Sequence, residues 1–372
     1  MSEASDYAFM AQALRLARHG LYTAEPNPRV GCVLVREGRV VGEGWHRRAG
    51  GPHAERIALA QAGQAAHGAT AYVTLEPCCH HGKTPPCTDA LLTAGVARVV
   101  AAMVDPNPLV AGQGLAQLRA AGVAVESGVM EAQAGDLNPG FVKRMATGLP
   151  FVRCKLAASL DGRTAMASGE SRWITGEAAR RDVQRLRARS SAILTGVGTV
   201  LADNPSLNVR LDPAEIPGLG PGEAPRQPLR VVVDSGLRTP AGARLLSLPG
   251  RTLIACAVRD PQTAAPLEAA GAQIRVCPDG KGRVDLEALL RHLAAAEVNE
   301  ILVEAGPTLA GALLGAGLVD ELILYLAPHL MGDAGRGLFH LPGIRSMAER
   351  IALTLTDVRA VGSDWRLTAR PD

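Results

Sequence analysis

Between residues 77 and 87 the chain reads PCCHHGKTPPC, three cysteines and two histidines in one short run, and His53 stands upstream in the tripeptide HAE. Thiolate and imidazole are the usual protein ligands of zinc. His53 follows Gly51 and Pro52, which places it at the start of a helix with Glu55 two residues on. Cys78 ends a strand-like run, and Cys87, after two prolines, opens another helix. Three donors would then converge from two helix starts and a strand end, where the helix dipoles favour thiolate. Three protein ligands leave one tetrahedral position open, the arrangement of a catalytic zinc, and such a metal acidifies water. Glu55 is placed to carry a proton from that water to a leaving amine. The competing readings are a closed zinc site, with Cys79, His80 or His81 as fourth ligand, and plain buried thiols. Cys79 follows Cys78 directly, and neighbouring side chains of an extended segment point apart, so the pair is not expected to face one metal. GKT at 82–84 is no phosphate loop, because Pro77 stands where that motif needs glycine.

These groups must be positioned by a chain of 372 residues, long enough for two domains. An amphipathic helix carrying Met10, Leu14 and Ala17 stops at Gly20, and short β-rich runs follow at 31–35, 40–45, 71–76, 97–104 and 122–127. Helical stretches at 53–66, 87–95 and 111–122 separate the last four, which predicts a sheet covered by helices on both faces. The pattern restarts near residue 150 after a helix end, a glycine and a proline. Domains 1–148 and 149–372 are therefore expected, the second again α/β, with strands at 191–196, 229–235, 251–258, 272–277, 300–306 and 321–328. Residues 212–228, rich in proline and glycine, read as a long surface loop.

Composition narrows the partners. A net charge of +3 and 3% aromatic residues leave neither a basic stripe nor stacking platforms, which argues against nucleic acid. Acidic residues near the N-terminus, where a signal peptide needs basic ones, and the lack of an 18-residue apolar run predict a soluble cytoplasmic protein with no membrane partner. Seven cysteines, an odd number, fit reduced thiols or metal ligands better than disulfides.

HxE followed by PCxxC is the signature of zinc nucleobase deaminases, from which this chain departs by placing eight residues between Cys78 and Cys87. With HAE at 53–55, TLEPCCHHGKTPPC at 74–87 and NPRVG at 27–31, the first half resembles the deaminase domain of the bifunctional riboflavin-biosynthesis deaminase/reductase family, where the long spacing is usual. KLAASLDGRTA (155–165), SGESRWIT (168–175), ILTGVGTVLADNPSLNVR (193–210), VVVDS (231–235) and VEAGPTLAGALL (303–314) are similar to its reductase domain. The resemblance implies a cytidine-deaminase-like α/β/α sandwich followed by a dihydrofolate-reductase-like α/β domain. It implies one Zn2+ per chain on His53, Cys78 and Cys87 and proton transfer by Glu55. The first reaction would deaminate 2,5-diamino-6-(5-phosphoribosylamino)pyrimidin-4(3H)-one to the corresponding uracil. The second would use NADPH to reduce the ribosyl group, giving 5-amino-6-(5-phosphoribitylamino)uracil.

The same match carries individual residues. The pyrimidine ribotide would meet Asn27, His46, His80 and Lys83 in the deaminase half. In the reductase half the sugar phosphate would meet Ser171, Arg187, Leu207, Arg210 and Glu304. NADPH would contact Ala157, Trp173, Thr199, Asp203, Ser235 and the run Gly306, Pro307, Thr308, Leu309, Ala310, Gly311 and Ala312. Gly306 and Pro307 also open a helix after the strand ILVE, a start suited to phosphate. Asp203 and Lys155 both qualify as the proton donor of the reduction. Relatives of this fold class associate through the reductase domain, so a homo-oligomer, dimer or tetramer, is expected. Two rival functions remain at this stage: a nucleoside or tRNA deaminase with an unrelated appended domain, and a non-catalytic zinc and NADPH sensor.

Overall fold

The computed structural model describes residues 3–80 and 85–372, in two compact units: Met1–Gly148 with Pro213–Ala224, and Leu149–Asp212 with Pro225–Asp372. The segment 213–224, read from sequence as a surface loop of the second half, packs with the first unit instead. There Ile216 is buried and Glu223 pairs with Arg48.

In the first unit helix α1 (Glu3–Ala17) leads into strands β1 (Gly31–Arg36) and β2 (Arg39–Trp45), then helix α2 (Ala54–Ala62) and β3 (Thr70–Val73). Helix α3 (Cys87–Thr93), β4 (Arg98–Ala101), helix α4 (Gln113–Ala120) and β5 (Ala124–Ser127) follow. The sheet order is β2-β1-β3-β4-β5, with β1 antiparallel to both neighbours and β3, β4 and β5 parallel. Strand β1 is apolar at successive positions because both its faces are covered. Cys32 and Leu34 pack with Ala54 and Ala58 of α2, Leu91 of α3 and Leu118 of α4. Val33 and Val35 face Met10 and Leu14 of α1. This is an α/β/α sandwich, and the helix starts of α2 and α3 lie where the sequence places His53 and Cys87.

In the second unit the strands are β6 (Phe151–Ser159), β7 (Arg163–Ala165), β8 (Ala192–Gly196), β9 (Leu229–Val233), β10 (Thr252–Cys256) and β11 (Ala272–Val276). Then come β12 (Glu300–Glu304), β13 (Glu321–Ala327), β14 (Arg336–Gly337), β15 (Leu353–Val361) and β16 (Asp364–Pro371). Nine form one sheet, ordered β11-β10-β9-β8-β12-β6-β13-β16-β15, parallel as far as β13, with β16 and β15 antiparallel; β7 and β14 pair separately. The closing hairpin β15–β16 was not anticipated. All seven cysteines are free, and no helix among the described residues is long and apolar enough to cross a membrane.

Helix α2 lies so close to β2 that a Cβ added to Gly44 would sit 2.2 Å from the carbonyl oxygen of Ala54, the first residue of that helix. Gly44→Ala must push α2 away from the sheet. A loss of about 1–3 kcal/mol in the stability of the first unit is expected, read from the denaturation midpoint, and an unchanged midpoint would show that the helix can move at no expense.

Candidate active sites

His53 is the residue before the first turn of α2, in an extended conformation (φ −73, ψ 161), and its ring makes no capping bond to the helix. The ring instead reaches the two sulfurs: Nδ1 lies 3.5 Å from Cys78 Sγ and 3.3 Å from Cys87 Sγ. Cys78 stands beyond the end of β3, and Cys87 is the first residue of α3. Its backbone N–H donates to the Cys78 carbonyl at 3.0 Å and points at Cys78 Sγ at 3.4 Å. Among the described residues these three are the group of His, Cys, Asp or Glu side chains spaced to hold a metal, with all donor atoms within 4.8 Å of one another. Zinc bonds of about 2.3 Å to sulfur and about 2.0 Å to nitrogen set adjacent tetrahedral donors about 3.5 Å apart, so the donor set fits zinc. Cys79 is not one of the three, and His81 lies outside the described residues.

The electrostatics are those of a ligand cluster. The hydrogen bond from the Cys87 thiol holds Cys78 well below the ordinary thiol range against the opposing effect of burial, with the His53 ring assisting. Cys87 is driven up, first by that same bond to Cys78 and then by burial. Glu55, in the first turn of α2, is only 3% exposed. Burial pushes its carboxyl above the usual carboxylate range, and it hydrogen-bonds Cys87.

Asn27 and His46 meet beside this cluster. Asn27 Nδ2 is 3.0 Å from His46 Nε2, and His46 Nδ1 is 3.0 Å from the carbonyl oxygen of Pro52. A carbonyl only accepts, so Nδ1 carries the proton and Nε2 accepts from the Asn27 amide. The His46 ring also stands edge-on to that of His53, centroids 5.3 Å apart. With both nitrogens engaged, His46 orients Asn27 and the residue preceding His53. The Nδ1 of His80 is buried without a hydrogen-bond partner among the described residues, and Lys83 lies outside them.

In the second unit a cleft of about 1830 Å³ opens over the carboxyl ends of the parallel strands, where open α/β sheets bind ligands. Arg187 donates from Nε and Nη2 to the two oxygens of Glu304, at 2.6 and 2.8 Å. Burial pushes Glu304 up, but Arg187, with Lys155 and Arg210, more than offsets this and holds the carboxyl below its usual range. Lys155 is driven down by burial, against the attraction of Glu304. Ala157, Ser171, Thr199 and Ser235 line the cleft, as do Arg210 and Asp203. Trp173, 72% exposed, lines it too, with the Arg180 guanidinium 4.7 Å from its ring centre. Leu207 lines it while its side chain packs in the core, which leaves its backbone for ligand contact.

Gly306, the residue before helix Pro307–Gly315, has open space around it, and the first amides of that helix have no intrahelical partners. Thr308, Leu309 and Ala312 line the cleft with Gly306 and Pro307. Two residues of the run expected to bind cofactor, Ala310 and Gly311, do not line the cleft: Ala310 is fully buried in the core, and Gly311 backs onto the His340 carbonyl, 2.2 Å from where a Cβ would stand. The helical period turns them away from the cleft. Sequence reasoning passed over the exposed cations Arg238 and Arg244, which also line the cleft. The signal for Arg238 was its position in the turn that follows β9, three residues after Ser235.

Comparison with known proteins agrees with both halves. The cytidine and deoxycytidylate deaminase zinc-binding region matches residues 3–103, and the RibD C-terminal domain matches residues 150–367, so the second half is no unrelated appendage. The chain is 54% identical to the riboflavin biosynthesis protein RibD of Escherichia coli, covering 96% of this chain and 97% of that one. It is 49% identical to the Haemophilus influenzae protein of the same name, covering 98% and 97%. The solved structure of Acinetobacter baumannii RibD superposes with a TM-score of 0.89 at 45% identity, over 99% of both chains. A deaminase/reductase from Thermotoga maritima, named for diaminohydroxyphosphoribosylaminopyrimidine and 5-amino-6-(5-phosphoribosylamino)uracil, does so at 0.85 and 32%, again over 99% of both. The chain thus belongs to the RibD family of bifunctional riboflavin-biosynthesis deaminase/reductases.

Proposed function

We propose that the first unit hydrolytically deaminates 2,5-diamino-6-(5-phosphoribosylamino)pyrimidin-4(3H)-one and that the second reduces the product with NADPH to 5-amino-6-(5-phosphoribitylamino)uracil. The observation that carries the reading is the meeting of His53, Cys78 and Cys87 beside the buried carboxyl of Glu55. His53, Cys78 and Cys87 would hold zinc, which when bound supplies a Lewis acid able to acidify water near neutral pH. Glu55 then takes a proton from the attacking water and delivers it to the departing nitrogen, as the new carbon–oxygen bond forms and the carbon–nitrogen bond breaks with release of ammonia. Its raised pKa suits it to both halves of that transfer. Asn27, held by His46, and His80 would orient the ribotide.

In the second unit the N-terminus of helix Pro307–Gly315 would receive a cofactor phosphate, and Trp173, Ser235 and Thr199 would complete the cofactor wall. NADPH when bound supplies the hydride for the sugar carbon C1′. The C1′–O4′ bond breaks, and O4′ requires a proton. Lys155 is the better donor on physical grounds, because burial weakens its hold on a proton, whereas Asp203 is paired with Arg172 at 3.3 Å. Arg187 and Arg210 supply positive charge for the sugar phosphate. Self-association would use the reductase domain, where the edge strand β15 is exposed and carries Leu355 and Val358.

Purified zinc-loaded protein given the diaminopyrimidine ribotide should release ammonia without NADPH and oxidise NADPH when it is added; zinc-loaded protein releasing no ammonia would sink the reading. Glu55→Gln should lower ammonia release by about two to four orders of magnitude while NADPH oxidation on the deaminated intermediate survives. Loss of both activities in a folded protein would contradict two independent sites. Arg187→Ala leaves the buried Glu304 carboxylate without its main partner, so a destabilisation of about 3 kcal/mol and a raised KM for the deaminated ribotide are expected. Calorimetry and steady-state kinetics check this, and ammonia release should stay at the wild-type rate.

A further inference from the structure

Glu76 lies just past the end of β3, two residues before Cys78, and is 3% exposed. No cation among the described residues pairs with this buried carboxylate. Three backbone amides do: Oε2 accepts from Asp105 at 3.0 Å and from Gly112 at 2.9 Å, and Oε1 accepts from Leu115 at 3.1 Å. Gly112 is the residue before α4 and has no side chain with which to cap that helix. The Glu76 carboxylate caps it from a distant strand, where the positive end of the helix dipole favours an anion. Close by, the Pro77 carbonyl presses against the first turn of α4, so that a Cβ on Gly114 would lie 2.1 Å from its oxygen.

These contacts bracket the ligand. The Cys78 carbonyl accepts from the backbone amides of Cys87 and Thr88, at 3.0 and 3.2 Å. The Thr88 hydroxyl lies 3.1 Å from Gln117 Oε1 on α4. One helix, α4, therefore anchors both cysteine segments, through Glu76 and Pro77 on one side and Thr88 on the other.

We propose that Glu76 is a positioning residue for the metal: by capping α4 it fixes Cys78 against Cys87 and His53 at zinc spacing. The proposal rests on the reading of His53, Cys78 and Cys87 as the zinc ligands. Partners that hold metal ligands in place influence metal affinity about 10- to 100-fold.

The test is zinc release from the full chain into a chromogenic chelator, with thermal unfolding and NADPH oxidation on the deaminated intermediate measured in parallel. Glu76→Gln keeps one acceptor oxygen but turns an amide toward the backbone donors, so zinc should leave about 10- to 100-fold faster while the reductase rate is unchanged. Gly114→Ala keeps the glutamate but sets a Cβ 2.1 Å from the Pro77 oxygen and 3.2 Å from Glu76 Oε1, so it disturbs the same clamp from the helix side and should shift zinc release in the same direction. It also decides the question if Glu76→Gln fails to fold. Wild-type zinc release in either folded variant, even with a lowered unfolding temperature, would overturn the positioning role. A wild-type chain that binds no zinc, or a Cys78→Ser variant that holds it as tightly, would instead overturn the ligand assignment.

Discussion

Two cysteine sulfurs and a carboxyl group are gathered around one imidazole in the first unit, largely out of water, and their mutual repulsion shapes everything near them. A buried anion is unfavourable, and three together are more so. The groups answer by holding protons: Cys78 takes the negative charge while Cys87 and Glu55 are driven toward their neutral forms. A divalent cation would satisfy both sulfurs at once, and on the proposed reading Glu55 would then be the group that exchanges a proton. The sandwich makes such crowding possible because β1, covered on both faces, presents a rigid surface over which α2 and α3 begin.

The second unit has the opposite sign. Lys155, Arg187 and Arg210 gather around the single carboxylate of Glu304, and the excess of positive charge faces a wide cleft. Such a site suits anions, and the arginine–carboxylate fork gives it a fixed geometry rather than a loose cloud of charge. On the proposed reading the two halves would serve successive phosphorylated compounds by different means, a metal with a proton carrier in one and a cationic cradle with a helix start in the other.

Much of this was legible in the chain. The apolar run of β1 and its glycine-flanked neighbours spell a covered sheet, and His53, Cys78 and Cys87 stand out because few other roles explain those residue types beside HAE. The α4 cap escaped notice because Gly112 supplies no signal of its own and its partner, Glu76, comes from a strand far away in sequence. Within the run Gly306 to Ala312 the helix turns Ala310 and Gly311 toward the core, which a motif read as a line does not show. The hairpin β15–β16 was written in the alternation of LTLTDV and WRLTAR, and the apolar residues this gives β15, Leu353, Leu355 and Val358, are exposed rather than packed in the core.

The segment 213–224 has a consequence for how the two activities could be parted. The chain leaves the first unit after Gly148, returns to it at Pro213 and departs again after Ala224. A single cut near residue 148 would therefore not yield two intact halves. The first would lose a stretch of its own surface, and the second would trail a loop with a bare isoleucine, Ile216, where a buried one had been. Fusion in this protein is a weave of three crossings, so divergence of one activity into a free-standing enzyme would first require that loop to be shortened or repacked.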